Sequence, residues 1–125
     1  MSERLRKIIE QIDIQPSDRV LEIGCGHGIA AAFICEHLVD GHLLAVDRSA
    51  KMIEVARRRN VAHAVSGRAQ FLIADIEALN FGERRFEKIL AVRLGLFHRE
   101  PERARKLVER WLAPGGRVLA VYDQP

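Results

Sequence analysis

A chain of 125 residues, 48% hydrophobic and 30% charged with a formal net charge of +3, has the balance of a globular domain and not of a disordered or membrane chain. That length suits one domain over residues 1–125, large enough for a sheet with helices on both faces and too small for a separate substrate domain. Cys25 and Cys35 have neither zinc-site nor redox-motif spacing, so no metal centre is expected and both read as reduced.

Met1, Ser2, Glu3 and Arg4 open an amphipathic helix and not a signal peptide, so a cytoplasmic address is expected. Leu5, Ile8, Ile9 and Ile12 recur at helical spacing behind a Ser2 cap, and the helix ends before Pro16. Residues 19–23 read as the first strand, and 29–38 as a buried crossover helix. Between them lie Gly24, Gly26 and Gly28 at alternate positions. Glycine there permits left-handed φ and lets a ligand approach the peptide groups where no Cβ stands in the way.

Asp40-Gly41 turns the chain into a second strand over 42–47 that closes on a carboxylate. Ser49 caps a helix over 50–59 whose last turn sets Arg57, Arg58 and Arg59 against the negative end of the dipole. Asn60 stops that helix, and 61–68 reads as a loop. A third apolar strand, 70–75, again ends in an acid, Asp75, and 86–92 reads as the fourth. Pro101 starts a helix with Ala104, Leu107, Val108, Trp111 and Leu112 on one face. Pro114-Gly115-Gly116 then breaks it and releases the fifth strand, 117–122.

Strands and helices alternate throughout, which predicts an α/β, doubly wound, mostly parallel sheet of five strands. Its ligand crevice is expected at the carboxyl ends of the strands. Glu22, Gly24, Gly26, Gly28, Asp47 and Asp75 all fall at or just beyond those ends, and so should converge.

Four segments in this order resemble the motifs of the class I S-adenosylmethionine-dependent methyltransferases. They are Glu22-Ile23-Gly24-Cys25-Gly26-His27-Gly28, Val46-Asp47-Arg48-Ser49, Ala74-Asp75-Ile76 and Leu112-Ala113-Pro114-Gly115-Gly116, covering nearly the whole chain. The resemblance implies a Rossmann-like methyltransferase fold, S-adenosyl-L-methionine as cofactor, and methyl transfer to an acceptor that is a small molecule sooner than a macromolecule. It implies that Gly24, Cys25, Gly26 and Gly28 border the methionine part, with Glu22 near its amino group. Asp47 would accept from both ribose hydroxyls with Arg48 beside it. Asp75 would face the adenine amino group with Ile76 beside the ring, and Ala91 joins the same cofactor set. The chemistry agrees, since a carboxylate is an acceptor-only group suited to a vicinal diol, and a ring of acids favours a cationic sulfonium.

Catalysis in such enzymes leans on alignment and exclusion of water, with a general base needed only where the acceptor loses a proton. His98 and Arg93, just after the fourth strand, are the catalytic candidates, His98 as base and Arg93 for an acidic substrate group. Plainer readings stand beside these: Asp47 and Asp75 as helix caps, Glu22 as an ion-pair partner, Cys25 and His27 as spacers, His98 as a surface residue. The dinucleotide fingerprint needs a glycine where Ile29 stands, which argues against an oxidoreductase. A non-enzyme rival is a cofactor-binding, catalytically degenerate subunit. The excess of arginine favours an acidic partner such as RNA, but the charges are scattered along solvated helix faces. The family adds a hairpin beyond the fifth strand that this sequence lacks, so the expectation is either a homodimer paired through the apolar edge of that strand or a reduced fold that binds cofactor with an open acceptor site.

Overall fold

The computed structural model of the protein describes residues 2–92 and 94–121. Short runs of Val, Ile and Leu bounded by turn residues become strands: β1 (Arg19–Ile23), β2 (His42–Asp47), β3 (Ala69–Ile73), β4 (Phe86–Val92) and β5 (Leu112–Val121). They form one parallel sheet in the order β3-β2-β1-β4-β5. After β3 the chain returns past β1 to lay down β4, so the direction of winding reverses between β1 and β4, where a crevice must open at the carboxyl ends.

Between the strands run α1 (Ser2–Gln11), α2 (Ile29–His37), α3 (Ala50–Arg59), α4 (Val61–Ser66), α5 (Gly95–Arg99) and α6 (Pro101–Glu109). Successive strand residues point to opposite faces and build two cores. Val20, Leu43, Ala45 and Phe71 pack with Ile9, Ile34 and Ile53 on one face. Leu21, Leu44, Val46 and Ile89 pack with Ala104, Val108 and Trp111 on the other. Each fully buried Leu, Ile or Val contributes roughly 1.5–3 kcal/mol, which fixes which face each strand presents and hence where its last residue lies. At the amino ends of the strands, Lys88 Nζ donates to Asp18 Oδ2 at 2.8 Å, a largely buried ion pair.

Several expectations are corrected. Residues 61–68 are not a loop, for α4 occupies most of them and ends on Gly67 at φ 82°. None of its residues is buried, so it has no apolar stripe to betray it. With α3 and α4 consecutive, α5 and α6 consecutive, and only a 3-10 turn (Ile76–Ala78) between β3 and β4, strict alternation of strand and helix fails. Strand β3 starts one residue earlier and ends two residues earlier than 70–75. Helix α6 stops at Glu109, so Trp111 and Leu112 leave its face, and Leu112 already opens β5 opposite Phe86. Pro114-Gly115-Gly116 does not precede β5 but sits within it, as a bulge between the Phe86–Leu112 and Lys88–Arg117 pairs. Residue 122, expected at the end of that strand, lies outside the described residues. Among the described residues no helix is long and apolar enough to cross a membrane.

Candidate functional site

Immediately after β1 the backbone must turn back under α2, and three glycines in the left-handed region accomplish it: Gly24 (φ 78°), Gly26 (φ 53°) and Gly28 (φ 86°). Gly24 N and Cys25 N both donate to Val46 O, at 2.8 and 3.0 Å, which stitches the loop to β2. A Cβ built on Gly26 meets nothing within 4 Å, so this peptide faces open space. A Cβ on Gly28 would lie 2.7 Å from Asn60 Nδ2 and 2.9 Å from Ala56 Cα, so this glycine exists to let α3 approach.

Asp47 ends β2 and divides its carboxylate between two backbone donors. Gly26 N donates to Oδ2 at 2.9 Å, and Ser49 N to Oδ1 at 2.9 Å. Ser49 Oγ in turn accepts from Met52 N at 3.2 Å as the cap of α3. Asp75 caps the following 3-10 turn, its Oδ1 accepting from Glu77 N at 3.0 Å. Asp75 is therefore a cap, whereas α3 is capped by Ser49 and Asp47 only braces the turn before it; the oxygens of both acids retain lone pairs for a ligand.

These elements surround a cavity of about 630 Å³. Glu22, Gly24, Cys25, Gly26, Asp47, Arg48, Asp75 and Ile76 line it together, as the sequence reading requires. His27, read as a spacer, lines it too. The lining is completed by Leu5 from α1, by Val92 from β4, by Leu94 beside Gly24, by Gly95, Leu96 and Arg99 from α5, and by Glu100 and Arg103 after it. Arg103 reaches Glu77 and Glu100, closing the rim. Helix α1 is held in place by Arg6, whose guanidinium pairs with Glu36 at 2.7 Å and stands 4.3 Å over the Phe33 ring.

Three candidates lie elsewhere. Gly28 packs against α3 and not against the cavity. Ala91 is 1% exposed inside the sheet, opposite Ile23. His98 is exposed on α5 and is not among the residues that line the cavity, whereas the next residue, Arg99, is. Arg93 lies outside the described residues. Of this lining, the segment just after β4 was read as part of the site, while Leu5, which counted only as part of an apolar stripe, and Glu100 and Arg103 went unread.

The electrostatic centre of the site is Glu22. It is 2% exposed, and its Oε1 has no hydrogen-bond partner among the described residues. Burial, with the negative charge of Asp47 nearby, pushes its pKa up to about 8. The same burial, reinforced by Glu22 and Asp47, pushes the Cys25 thiol upward and keeps it from acting as a thiolate. A buried carboxylate without a donor is costly unless it is protonated or meets a cation. The cavity thus suits an elongated ligand, cationic over β1 and rich in hydrogen-bond donors over β2 and β3.

A family described as a methyltransferase domain matches residues 20–116. Among curated proteins the chain is 27% identical over 117 residues to a phosphoethanolamine N-methyltransferase of Arabidopsis thaliana, covering 94% of this chain and 23% of that protein. It is 32% identical over 123 residues to a ubiquinone/menaquinone biosynthesis C-methyltransferase of Ectopseudomonas mendocina, covering 96% of this chain and 48% of that one. The chain therefore spans between a quarter and a half of the length of these relatives. Among solved structures, a SAM-dependent methyltransferase from Thiobacillus denitrificans in complex with S-adenosyl-L-homocysteine superposes with a TM-score of 0.79 at 22% identity, over 94% of this chain and 47% of the other. The [4+2]-cyclase SpnF superposes equally well, at 0.79 and 23% identity, over 94% and 43%. Both likenesses establish the α/β fold.

Proposed function

The chain belongs to the methyltransferase domain family, and from that premise we propose that it binds S-adenosylmethionine over β1, β2 and β3 and directs its methyl group to a small-molecule acceptor. One observation carries this reading: buried Glu22, whose Oε1 has no partner among the described residues, and the open backbone at Gly26 line the same cavity. The residues fit the cofactor. Glu22 offers its Oε1 to the ammonium of the methionine part, beside the loop of Gly24, Cys25 and Gly26. Asp47, already fixed by Gly26 N and Ser49 N, keeps lone pairs for the two ribose hydroxyls, with Arg48 alongside. Asp75 and Ile76 border the base.

When bound, the cofactor supplies a methyl group on a sulfonium that needs no further activation. The work left to the chain is orientation and exclusion of water. Leu5, Val92, Leu94 and Leu96 give the acceptor an apolar seat facing the glycine loop, and Arg99 and Arg103 give it a charged rim. His98 and Arg93 stay with the acceptor side of this proposal, His98 only for an acceptor that loses a proton and only after α5 reorients it. The cofactor-binding reading without methyl transfer draws support from the exposed placement of His98. A radiolabelled methyl-transfer assay over a panel of amines, phenols and carbon acids separates the two.

The decisive experiment on cofactor binding is calorimetric titration with S-adenosylhomocysteine, adenosine and NAD. The first two should bind and NAD should not. Asp47→Ala should weaken the first two by about 1–3 kcal/mol, the worth of hydrogen bonds to a charged group. An unchanged affinity would remove Asp47 from the site. The reading extends to a cytoplasmic protein that pairs with a second copy through the β5 edge, with a small molecule favoured over RNA as its partner.

A further inference from the structure

We propose that Arg59 and Asn60, neither of which lines the cavity, are positioning residues that clamp the glycine loop into its ligand-ready shape; this rests on the cofactor reading above. Within the loop of three left-handed glycines, the one hydrogen bond made by a side chain of its own among the described residues is a weak one, from Cys25 Sγ to Gly26 O at 3.8 Å. Its peptide groups are instead gripped from outside at three successive residues. Gly26 N donates to Asp47 Oδ2 at 2.9 Å, Arg59 Nε donates to His27 O at 3.1 Å, and Asn60 Nδ2 donates to Gly28 O at 3.0 Å. The three grips come from the two ends of one segment, Asp47 at the end of β2 and Arg59 and Asn60 at the end of α3.

Asn60 is suited to this by its own fixation. It is 3% exposed, its backbone N–H donates to Ala56 O to close α3, and its carbonyl accepts from Ala64 N to open α4. Its Nδ2 also donates to Ala56 O at 3.0 Å. Capping α3 needs only the Ala56 contact. The bond to Gly28 O is surplus to that role, and the absence of a Cβ on Gly28 leaves Asn60 the space to make it. Arg59 is exposed, so its bond to His27 O has little to do with the core.

Because the clamp acts on the loop beside Glu22, at the methionine end of the proposed ligand, it should discriminate between whole cofactor and nucleoside fragment. Binding of S-adenosylhomocysteine by calorimetry, and of adenosine by its displacement, would be compared in the wild type, Arg59→Ala, Arg59→Lys and Asn60→Ala, with Tm recorded for each. In Arg59→Ala the affinity for S-adenosylhomocysteine should fall about three- to tenfold, the equivalent of one hydrogen bond. Its adenosine affinity and Tm should hold. Arg59→Lys, which restores a donor, should recover most of the loss. Asn60→Ala should lose about tenfold or more and also lower Tm. The clamp is overturned if Arg59→Ala binds S-adenosylhomocysteine like the wild type, or if both ligands weaken in equal proportion. A wild-type chain with no affinity for S-adenosylhomocysteine overturns the cofactor reading, and the clamp with it.

Discussion

Glu22 gives the stability of the free protein a pH dependence of its own. Its pKa near 8 in the folded state exceeds the value of about 4.5 in an unfolded chain, so the folded state binds more protons between those limits. Stability is therefore fullest below about pH 4.5, as far as this group is concerned, and declines as pH rises toward 8. Burial is the larger cause and Asp47 the smaller. Glu22→Gln keeps the shape and removes the titration, so it should flatten the decline and raise stability at pH 8 by a few kcal/mol, each tenfold difference in proton affinity being worth about 1.4 kcal/mol. Denaturant unfolding from pH 5 to 9 checks this, and parallel curves for the two proteins would refute it. The same variant should bind S-adenosylhomocysteine more weakly, because the group that suits its ammonium is gone.

At the scale of the element, the loop after β1 uses its glycines for different ends, and alanine substitutions should separate them. Gly26→Ala adds only the strain of a left-handed alanine, about 1–2 kcal/mol, because its Cβ meets open space. Its cost should show mainly in ligand affinity. Gly28→Ala adds the same strain plus a collision with Ala56 and Asn60, so about 2–5 kcal/mol of stability should be lost. Urea midpoints for the two variants measure the gap, and equal midpoints would show that α3 yields freely. The glycines were readable as a turn from their spacing, but which of them faces a ligand and which a helix depends on α3, some thirty residues away. The same limit applies to α5. The segment after β4 was legible as part of the site, but neighbouring residues on a helix point about 100° apart, and the phase of a five-residue helix cannot be read from its pattern. Arg99 thus reaches the cavity wall while His98 does not. Helix α4 was hidden because it buries nothing, and the start of β5 because proline and glycine read as breakers where they form a bulge.

For the molecule as a whole, the legible part is what unbroken apolar runs and terminal acids determine: five strands, a parallel sheet, and Glu22, Asp47 and Asp75 lining one cavity. The rest of that lining depends on how α1, α5 and α6 settle, which no local pattern encodes. The sheet also has β5 at one margin, paired among the described residues only with β4. An edge ladder of this kind invites a second strand, so sedimentation at rising concentration should show a dimer that Pro or Lys substitutions at the outward N–H groups of β5 dissociate. A monomer at all concentrations would discard the pairing.

Leu5 stands only a few positions from the first residue and yet forms part of the cavity wall, on a helix pinned to α2 through Arg6. Whatever is joined to that end, an affinity tag or a natural extension, therefore pulls on the doorway through less than two turns of helix. Preparations differing only in their leading residues should not be assumed to admit small molecules alike.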